Sequence, residues 1–189
     1  MELLKDKILE QGRIIGNDIL KVDSFLNHQL DIYILNEIGK EFKKRFRGYK
    51  IDKIITAEVS GIAIAAIAAQ YFNVPVVFAR KSQSKNLDME TYEGEVFSYT
   101  KDKLYKIRIS KRYLNSGENV LIIDDFLANG QAILGLKQIV DQAKANLVGV
   151  GIVIEKGFQE GGKILREAGI NIESLVIVDS MSKGQIIFR

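Results

Sequence analysis

The chain has 189 residues, 47% of them hydrophobic, which suits one globular domain spanning residues 1–189 with a full core. Its formal charge of +3 is too small to argue for a nucleic-acid partner but is compatible with a polyanionic small ligand. Zero cysteines and one histidine exclude a disulfide framework and thiolate or polyhistidine metal centres, so the chemistry must use carboxylates, lysines and backbone.

The first residues, Met1 to Glu10, mix charges with a helical apolar stripe and lack a signal-peptide core. No apolar run reaches membrane-spanning length, that from Ile62 to Ala69 included, so we expect a cytoplasmic protein with no membrane partner. From Arg13 to Leu30 short apolar pairs alternate with turn formers, which predicts an irregular or weakly paired segment. By chemistry alone Leu20 reads as core, Asn27 as a helix or turn cap, and His28 as structural. Asp31 caps a helix running to about Arg47, with Ile32, Leu35, Ile38, Phe42 and Phe46 on one face, and Gly48 stops it. Ile51 to Ala57 reads as the first core strand. Its loop, Glu58-Val59-Ser60-Gly61, leads into a small-residue helix from Ile62 to Phe72 with an anion-capable N-terminus. On the residues alone, Ser60 and Gly61 are a cap and a tight turn.

Pro75, the only proline, opens the strand Val76 to Arg80 at an edge or first position, where its missing donor is tolerated. Arg80 and Lys81 stand at its carboxyl end, the side of an α/β sheet where ligands collect. No helix is expected from Ser82 to about Ser116; within it Glu95 to Thr100 and Leu104 to Ile109 alternate as hairpin strands around Lys101-Asp102-Lys103. Such an excursion is a lid or a disordered insert, and the hairpin within it can also be an ordinary strand pair.

Val120 to Ile123 then run straight into Asp124 and Asp125, as a strand buried on both faces that ends at a polar rim. Beyond a short apolar step comes the tetrad Ala128-Asn129-Gly130-Gln131, and from Ala132 to Val140 the spacing is helical. Backbone N–H groups at this strand-to-helix turn can hold a phosphate, and paired carboxylates suit hydroxyls or a metal. The alternative is two acids capping the next helix. Leu147 to Ile154 is another fully buried strand, so Lys156 emerges on the same rim as Asp124. There it meets a ligand, Glu155 or solvent, and Phe158 is a stacking ring or core. A helix from about Gly162 to Ala168, Gly169 as its stop, a strand through Leu175 to Val178 and an edge element at Gln185 to Phe188 complete an α/β fold with a mostly parallel sheet flanked by helices.

The run Asp124-Asp125-Phe126-Leu127-Ala128-Asn129-Gly130-Gln131-Ala132 resembles the signature of the type I phosphoribosyltransferases, and its specific form resembles their xanthine-using branch. The resemblance spans essentially the whole chain and is most specific here, in Leu20 to Gln29 and at Lys156. It implies the type I phosphoribosyltransferase fold, with a lid hairpin and a small purine-binding hood. It also implies a purine-salvage reaction: the 5-phosphoribosyl group moves from phosphoribosyl pyrophosphate to xanthine, giving xanthosine 5′-monophosphate and pyrophosphate. By the resemblance Asp124 and Asp125 are catalytic residues that hold the ribose hydroxyls, and Ala128, Asn129, Gly130, Gln131 and Ala132 take the 5-phosphate. Val59, Ser60, Gly61, Arg80 and Lys81 contact pyrophosphate. Leu20, Asn27, Lys156 and Phe158 contact the purine, and Ser98 and Tyr99 form a lid pair. The implied cofactor is Mg²⁺ as its phosphoribosyl pyrophosphate complex, without a protein-held metal, and the implied assembly is a homodimer without nucleic acid. The chain departs from many family members in having Ala128 where they carry an acid, and Asn129 and Ala132 where they carry Thr, which leaves the acceptor of the purine proton unassigned. A non-catalytic purine-responsive regulator on the same fold is the alternative; such repressors add a DNA-binding domain, and there is no room for one before the first core strand.

Overall fold

A computed structural model describes residues 1–81, 90–98, 102–182 and 184–189. The chain opens with helix α1 (Glu2–Gln11), a hairpin of strands β1 (Arg13–Ile15) and β2 (Ile19–Lys21), and a π-helical turn over Asp23–Asn27. There follow α2 (Ile32–Arg45), β3 (Lys53–Ala57), α3 (Ser60–Phe72), β4 (Val76–Ala79), β5 (Thr91–Ser98) and β6 (Lys103–Ser110). The second half alternates: β7 (Asn119–Leu127), α4 (Gln131–Gln142), β8 (Asn146–Lys156), α5 (Gly161–Glu167), β9 (Ile172–Ser180) and β10 (Ile187–Phe188).

Six strands form one sheet in the order β10-β9-β8-β7-β3-β4, all parallel except β10, which pairs antiparallel with β9. The α/β reading therefore holds, and β4 is an edge strand, as Pro75 requires. Central β7 shows why the sheet is covered on both sides. Its side chains alternate, Leu121 and Ile123 entering one apolar layer while Val120 and Ile122 enter the other. The first layer packs α1, α2, α3 and the π turn; the second packs α4, α5 and the β5–β6 hairpin. At the end of the sheet away from the acids, Lys53 donates to both oxygens of Glu118 at 2.9 and 2.7 Å, tying β3 to the loop before β7.

Most expected elements appear within a few residues of their anticipated ends. Asp31 caps α2 by accepting from Ile34 N–H at 3.3 Å, and Gly48, at φ +93°, follows the helix. Two expectations are corrected. Ile32 does not face the core but is 54% exposed, because Ile34, two residues on and on the other side of the helix's first turn, takes the inward position. The strand of the central motif does not end at the acids. It continues to Leu127, pairing Phe126 with Ile154 and Leu127 with Glu155, so Asp124 and Asp125 lie within the strand. The segment from Arg13 to Leu30 is indeed weakly paired, as a two-stranded hairpin of three residues each and one π turn.

The β5–β6 hairpin lies on α4, and small residues allow it. A Cβ on Gly94 would stand 2.0 Å from the Gly135 carbonyl oxygen, and one on Gly135 would stand 2.7 Å from Val96. At this distance side chains of α4 act as strand partners: Gln138 accepts from Glu95 N–H at 2.9 Å, and Gln142 donates to the Glu93 carbonyl at 2.6 Å. Backbone groups of Arg80 and Arg108, exchanging two bonds of 2.9 Å, join the hairpin to the edge of the main sheet.

Candidate active site

The carboxyl end of β7 carries the two acids, and both are nearly buried, Asp124 at 7% and Asp125 at 8% exposure. Asp124 Oδ1 accepts from Asp125 N–H at 3.0 Å, and Asp125 Oδ1 accepts from Phe126 N–H at 3.0 Å. These local bonds set the direction of each carboxylate. Burial, and then the charge of Asp125, push the Asp124 pKa well above its ordinary 3.8, against the opposing effects of a backbone hydrogen bond and Lys81. A carboxylate held this way has strong need of a hydroxyl donor or a cation.

Asp125 continues the face of Leu121 and Ile123, and on that face it meets the π turn: Asn27 Nδ2 donates to Asp125 Oδ2 at 3.1 Å. Lys156, the last residue of β8, reaches the same small unit, where Nζ donates to the Asp18 carbonyl at 2.7 Å. Its Nζ also lies 6.0 Å from the centre of the Phe126 ring. Burial lowers the Lys156 pKa below its ordinary 10.5, partly offset by the charge of Asp18. Leu20 is buried beneath the hairpin, whereas Phe158 is 38% exposed in the turn after β8. The four residues anticipated for a planar base thus occupy the hood and the strand ends beneath it.

Between β7 and α4 the backbone turns through Ala128, Asn129 and Gly130. Gly130 lies at φ +77°, a left-handed conformation suited to glycine, and precedes the first turn of α4, with Gln131 and Ala132 opening the helix. The loop borders an open recess of about 220 Å³, closed on its other side by Tyr105 of β6 and Phe126. Free N–H groups at the start of a 12-residue helix make this recess suitable for a phosphate.

A second strand-to-helix loop stands beside the first. Val59 is 76% exposed at the start of α3, followed by Ser60 and Gly61. A Cβ on Gly61 would lie 2.0 Å from Thr56 Oγ1 and 3.1 Å from Asp124 Oδ1, so only glycine allows this loop to approach the acids. Glu58 links it to the next strand end by accepting from Lys81 N–H at 2.5 Å. Lys81 Nζ lies 5.2 Å from the Tyr105 ring centre, and Arg80 Nε is buried without a hydrogen-bond partner among the described residues. Cations therefore stand at the end of β4, beside the second loop. Tyr99 and the side chain of Ser98 lie outside the described residues.

Thr56, Tyr105, Phe126 and the Asp18 carbonyl are site groups that sequence reasoning missed. Thr56 had one visible signal, a hydroxyl within an apolar strand, and its buried oxygen has no hydrogen-bond partner among the described residues. Tyr105 had none, since it reads as an ordinary alternating strand residue. Among the described residues no three His, Cys, Asp or Glu side chains converge as a metal cage, and no helix is long and apolar enough to cross a membrane.

A parallel sheet carrying two anion-ready loops and a pair of acids at one end defines a phosphoribosyltransferase-type site. Residues 22–181 match the family described as phosphoribosyl transferase domain, and the chain belongs to that family. It is 71% identical over 189 residues to the xanthine phosphoribosyltransferase of Alkaliphilus metalliredigens, covering 100% of this chain and 94% of that one. To the xanthine phosphoribosyltransferase of Clostridioides difficile it is 62% identical over 190 residues, covering 100% of both. Among solved structures it resembles the adenine phosphoribosyltransferase of Thermoanaerobacter pseudethanolicus, with a TM-score of 0.75 at 24% identity over 92% of this chain and 99% of that one. That last likeness speaks for the fold.

Proposed function

We propose that the protein is a purine-salvage enzyme that transfers the 5-phosphoribosyl group from phosphoribosyl pyrophosphate to xanthine, yielding xanthosine 5′-monophosphate and pyrophosphate. The observation that carries this reading is the bond from Asn27 to Asp125, which sets the hood directly beside the acids and supports a base bound next to a ribose. Full-length relatives named for the xanthine reaction support it, at 71% and 62% identity, and do not favour a non-catalytic regulator.

In this mechanism Asp124 and Asp125 accept hydrogen bonds from the ribose hydroxyls and orient the ring. Ala128 to Ala132 hold the 5-phosphate through backbone N–H groups and the Asn129 amide. Val59, Ser60 and Gly61, with Arg80 and Lys81, hold pyrophosphate. As the C1–O bond loosens, its electron pair leaves on pyrophosphate, and these cations and N–H donors stabilise the growing charge. A purine ring nitrogen forms the new bond to C1, and the proton it carried passes, directly or through water, to the departing pyrophosphate. Leu20 and Phe158 flank the base, Lys156 donates to its six-position carbonyl, and Asn27 meets the two-position edge. The carboxylate oxygens of Asp124 and Asp125 suit Mg²⁺, which would arrive on phosphoribosyl pyrophosphate and would supply neutralisation of phosphate charge.

The proposal includes a homodimer, the commonest closed assembly, and a cytoplasmic location, since phosphorylated sugars do not cross membranes unaided. Sedimentation at micromolar concentration tests the first; a monomer would remove it. The reaction itself is tested by supplying phosphoribosyl pyrophosphate, Mg²⁺ and xanthine, guanine, hypoxanthine or adenine in turn. Xanthine should have the highest kcat/KM and adenine a negligible one, whereas a clear preference for guanine or hypoxanthine would sink the xanthine assignment.

A further inference from the structure

On the α5 side of the phosphate loop, an ion pair with one buried and one exposed partner has no place in the mechanism above. Glu155, 3% exposed near the end of β8, receives both ends of the Arg166 guanidinium: Nη1 to Oε1 at 2.7 Å and Nη2 to Oε2 at 2.6 Å. Ser174 of β9 donates its hydroxyl to the same carboxylate. Burial works to raise the Glu155 pKa, but the hydrogen bonds from Arg166 and Ser174 and the Arg166 charge together hold it below its ordinary 4.5. The pair is thus ionised and directional, and it clamps the last turn of α5 onto the sheet.

The first turn of the same helix touches the phosphate loop. A Cβ on Gly162 would lie 2.0 Å from Glu155 Oε1, so the helix sits on the pair without space between. A Cβ on Gly161 would lie 2.2 Å from the Ala128 carbonyl oxygen and 2.6 Å from Gly130 N. Gly161 N–H donates to that Ala128 carbonyl at 3.1 Å. The Ala128–Asn129 peptide is trans, so its C=O and N–H point in opposite directions. With the carbonyl held towards α5, Asn129 N–H points away from α5, and Asn129 is among the residues that line the recess.

We propose that Glu155 and Arg166 are positioning residues for phosphoribosyl pyrophosphate: by fixing α5 on the end of β8 they hold Gly161 against Ala128 and keep the loop's N–H groups aimed at the 5-phosphate. The inference rests on the reading that residues 128–132 take that phosphate. Neither side chain touches substrate. Their loss acts through the loop, so it weakens the phosphate end of the site more than the base end, where Lys156 and Asn27 keep their own contacts to the Asp18 carbonyl and Asp125.

The test compares Arg166→Lys, Arg166→Met and Gly161→Ala with the unaltered enzyme, measuring kcat and KM separately for phosphoribosyl pyrophosphate with Mg²⁺ and for xanthine, alongside thermal melting. Lysine keeps the charge but loses the two-pronged contact, and should raise the KM for phosphoribosyl pyrophosphate about tenfold, with methionine raising it further. The KM for xanthine should stay within about twofold of the unaltered value under saturating co-substrate. Gly161→Ala strikes the loop contact itself and should give the same pattern, which keeps the question decidable if Arg166→Met does not fold. Lowered melting temperature with an unchanged KM for phosphoribosyl pyrophosphate in Arg166→Lys and Gly161→Ala would reduce the pair to a structural brace and overturn the inference. Gly130→Val, which strains the loop directly at φ +77°, separates the two levels. If it raises that KM and the α5 variants do not, only the positioning role falls; if none of them does, the phosphate reading of the loop falls first.

Discussion

Asn27 Nδ2 and Asp125 Oδ2 stand 3.1 Å apart across 98 residues of sequence, and their bond joins the hood to the acid pair. Asn27 is the donor in this bond, so its amide nitrogen is turned towards Asp125. A ribose hydroxyl that takes Asp125 competes for the same oxygen and releases the amide to the base. We expect Asn27→Ala to lower kcat/KM for xanthine by roughly 10- to 100-fold, the range for losing a hydrogen bond to a charged group. Its effect on guanine should be smaller, which erodes the preference. Steady-state kinetics with both bases check this, and an unchanged ratio would remove Asn27 from base selection.

Asp124 should show a conflict between stability and function. Its folded pKa is raised by burial and by Asp125, so above that value the ionised side chain opposes folding. The opposition disappears as pH falls through the raised value, because the folded state then binds the proton. Asp124→Asn removes the charge but keeps an oxygen for Asp125 N–H. The variant should melt higher than the unaltered protein at neutral pH, by roughly 2–4 °C for each kcal/mol of strain relieved at this chain length. The gap should close towards pH 4, and turnover should fall strongly. A lower melting temperature at neutral pH would contradict the sign.

Lys156 has the opposite charge and a pKa pushed down by the same burial. Protonated lysine therefore opposes folding below the lowered value, and stability returns as pH rises through it. Lys156→Met should fold at least as stably at neutral pH, yet lose roughly 100-fold in kcat/KM for oxopurines, since a site built on a hydrogen bond fails without its donor. Adenine, which lacks the carbonyl, should be used no better by the unaltered enzyme. Retained xanthine activity in a folded Lys156→Met protein would clear the lysine of base recognition.

Gly94→Ala probes how the hairpin is seated. Its methyl would meet the Gly135 carbonyl oxygen at 2.0 Å, backbone against backbone, so the hairpin must lift from α4. Overpacking of this kind costs roughly 1–3 kcal/mol, and the bonds from Gln138 and Gln142 should weaken with it. Urea unfolding measures the loss. Tyr105 moves with the hairpin, so activity should fall as well; an unaltered midpoint would mean that the contact relaxes freely.

Read alone, the sequence determined the alternation of strands and helices and the position of the central motif. Those are local properties: apolar runs of period two or 3.6, the caps at Asp31 and Gly48, and a tetrad without bulk between Leu127 and Ala132 are set by neighbours along the chain. It also determined which residue types were available for chemistry, since a chain with no cysteine and one histidine leaves carboxylates and cations. Where β7 ends was misjudged because acids look like a rim, yet Asp124 and Asp125 are tolerated inside the strand by backbone donors one residue on. Only the tertiary structure decided the partners. That Asn27 meets Asp125, that Lys156 meets the Asp18 carbonyl, that Thr56 and Tyr105 join the site, and that Glu155 and Arg166 brace a loop they do not belong to all follow from strand order and close glycine contacts. Such pairings join side chains far apart in sequence, and no periodicity along one segment can encode a distance to another.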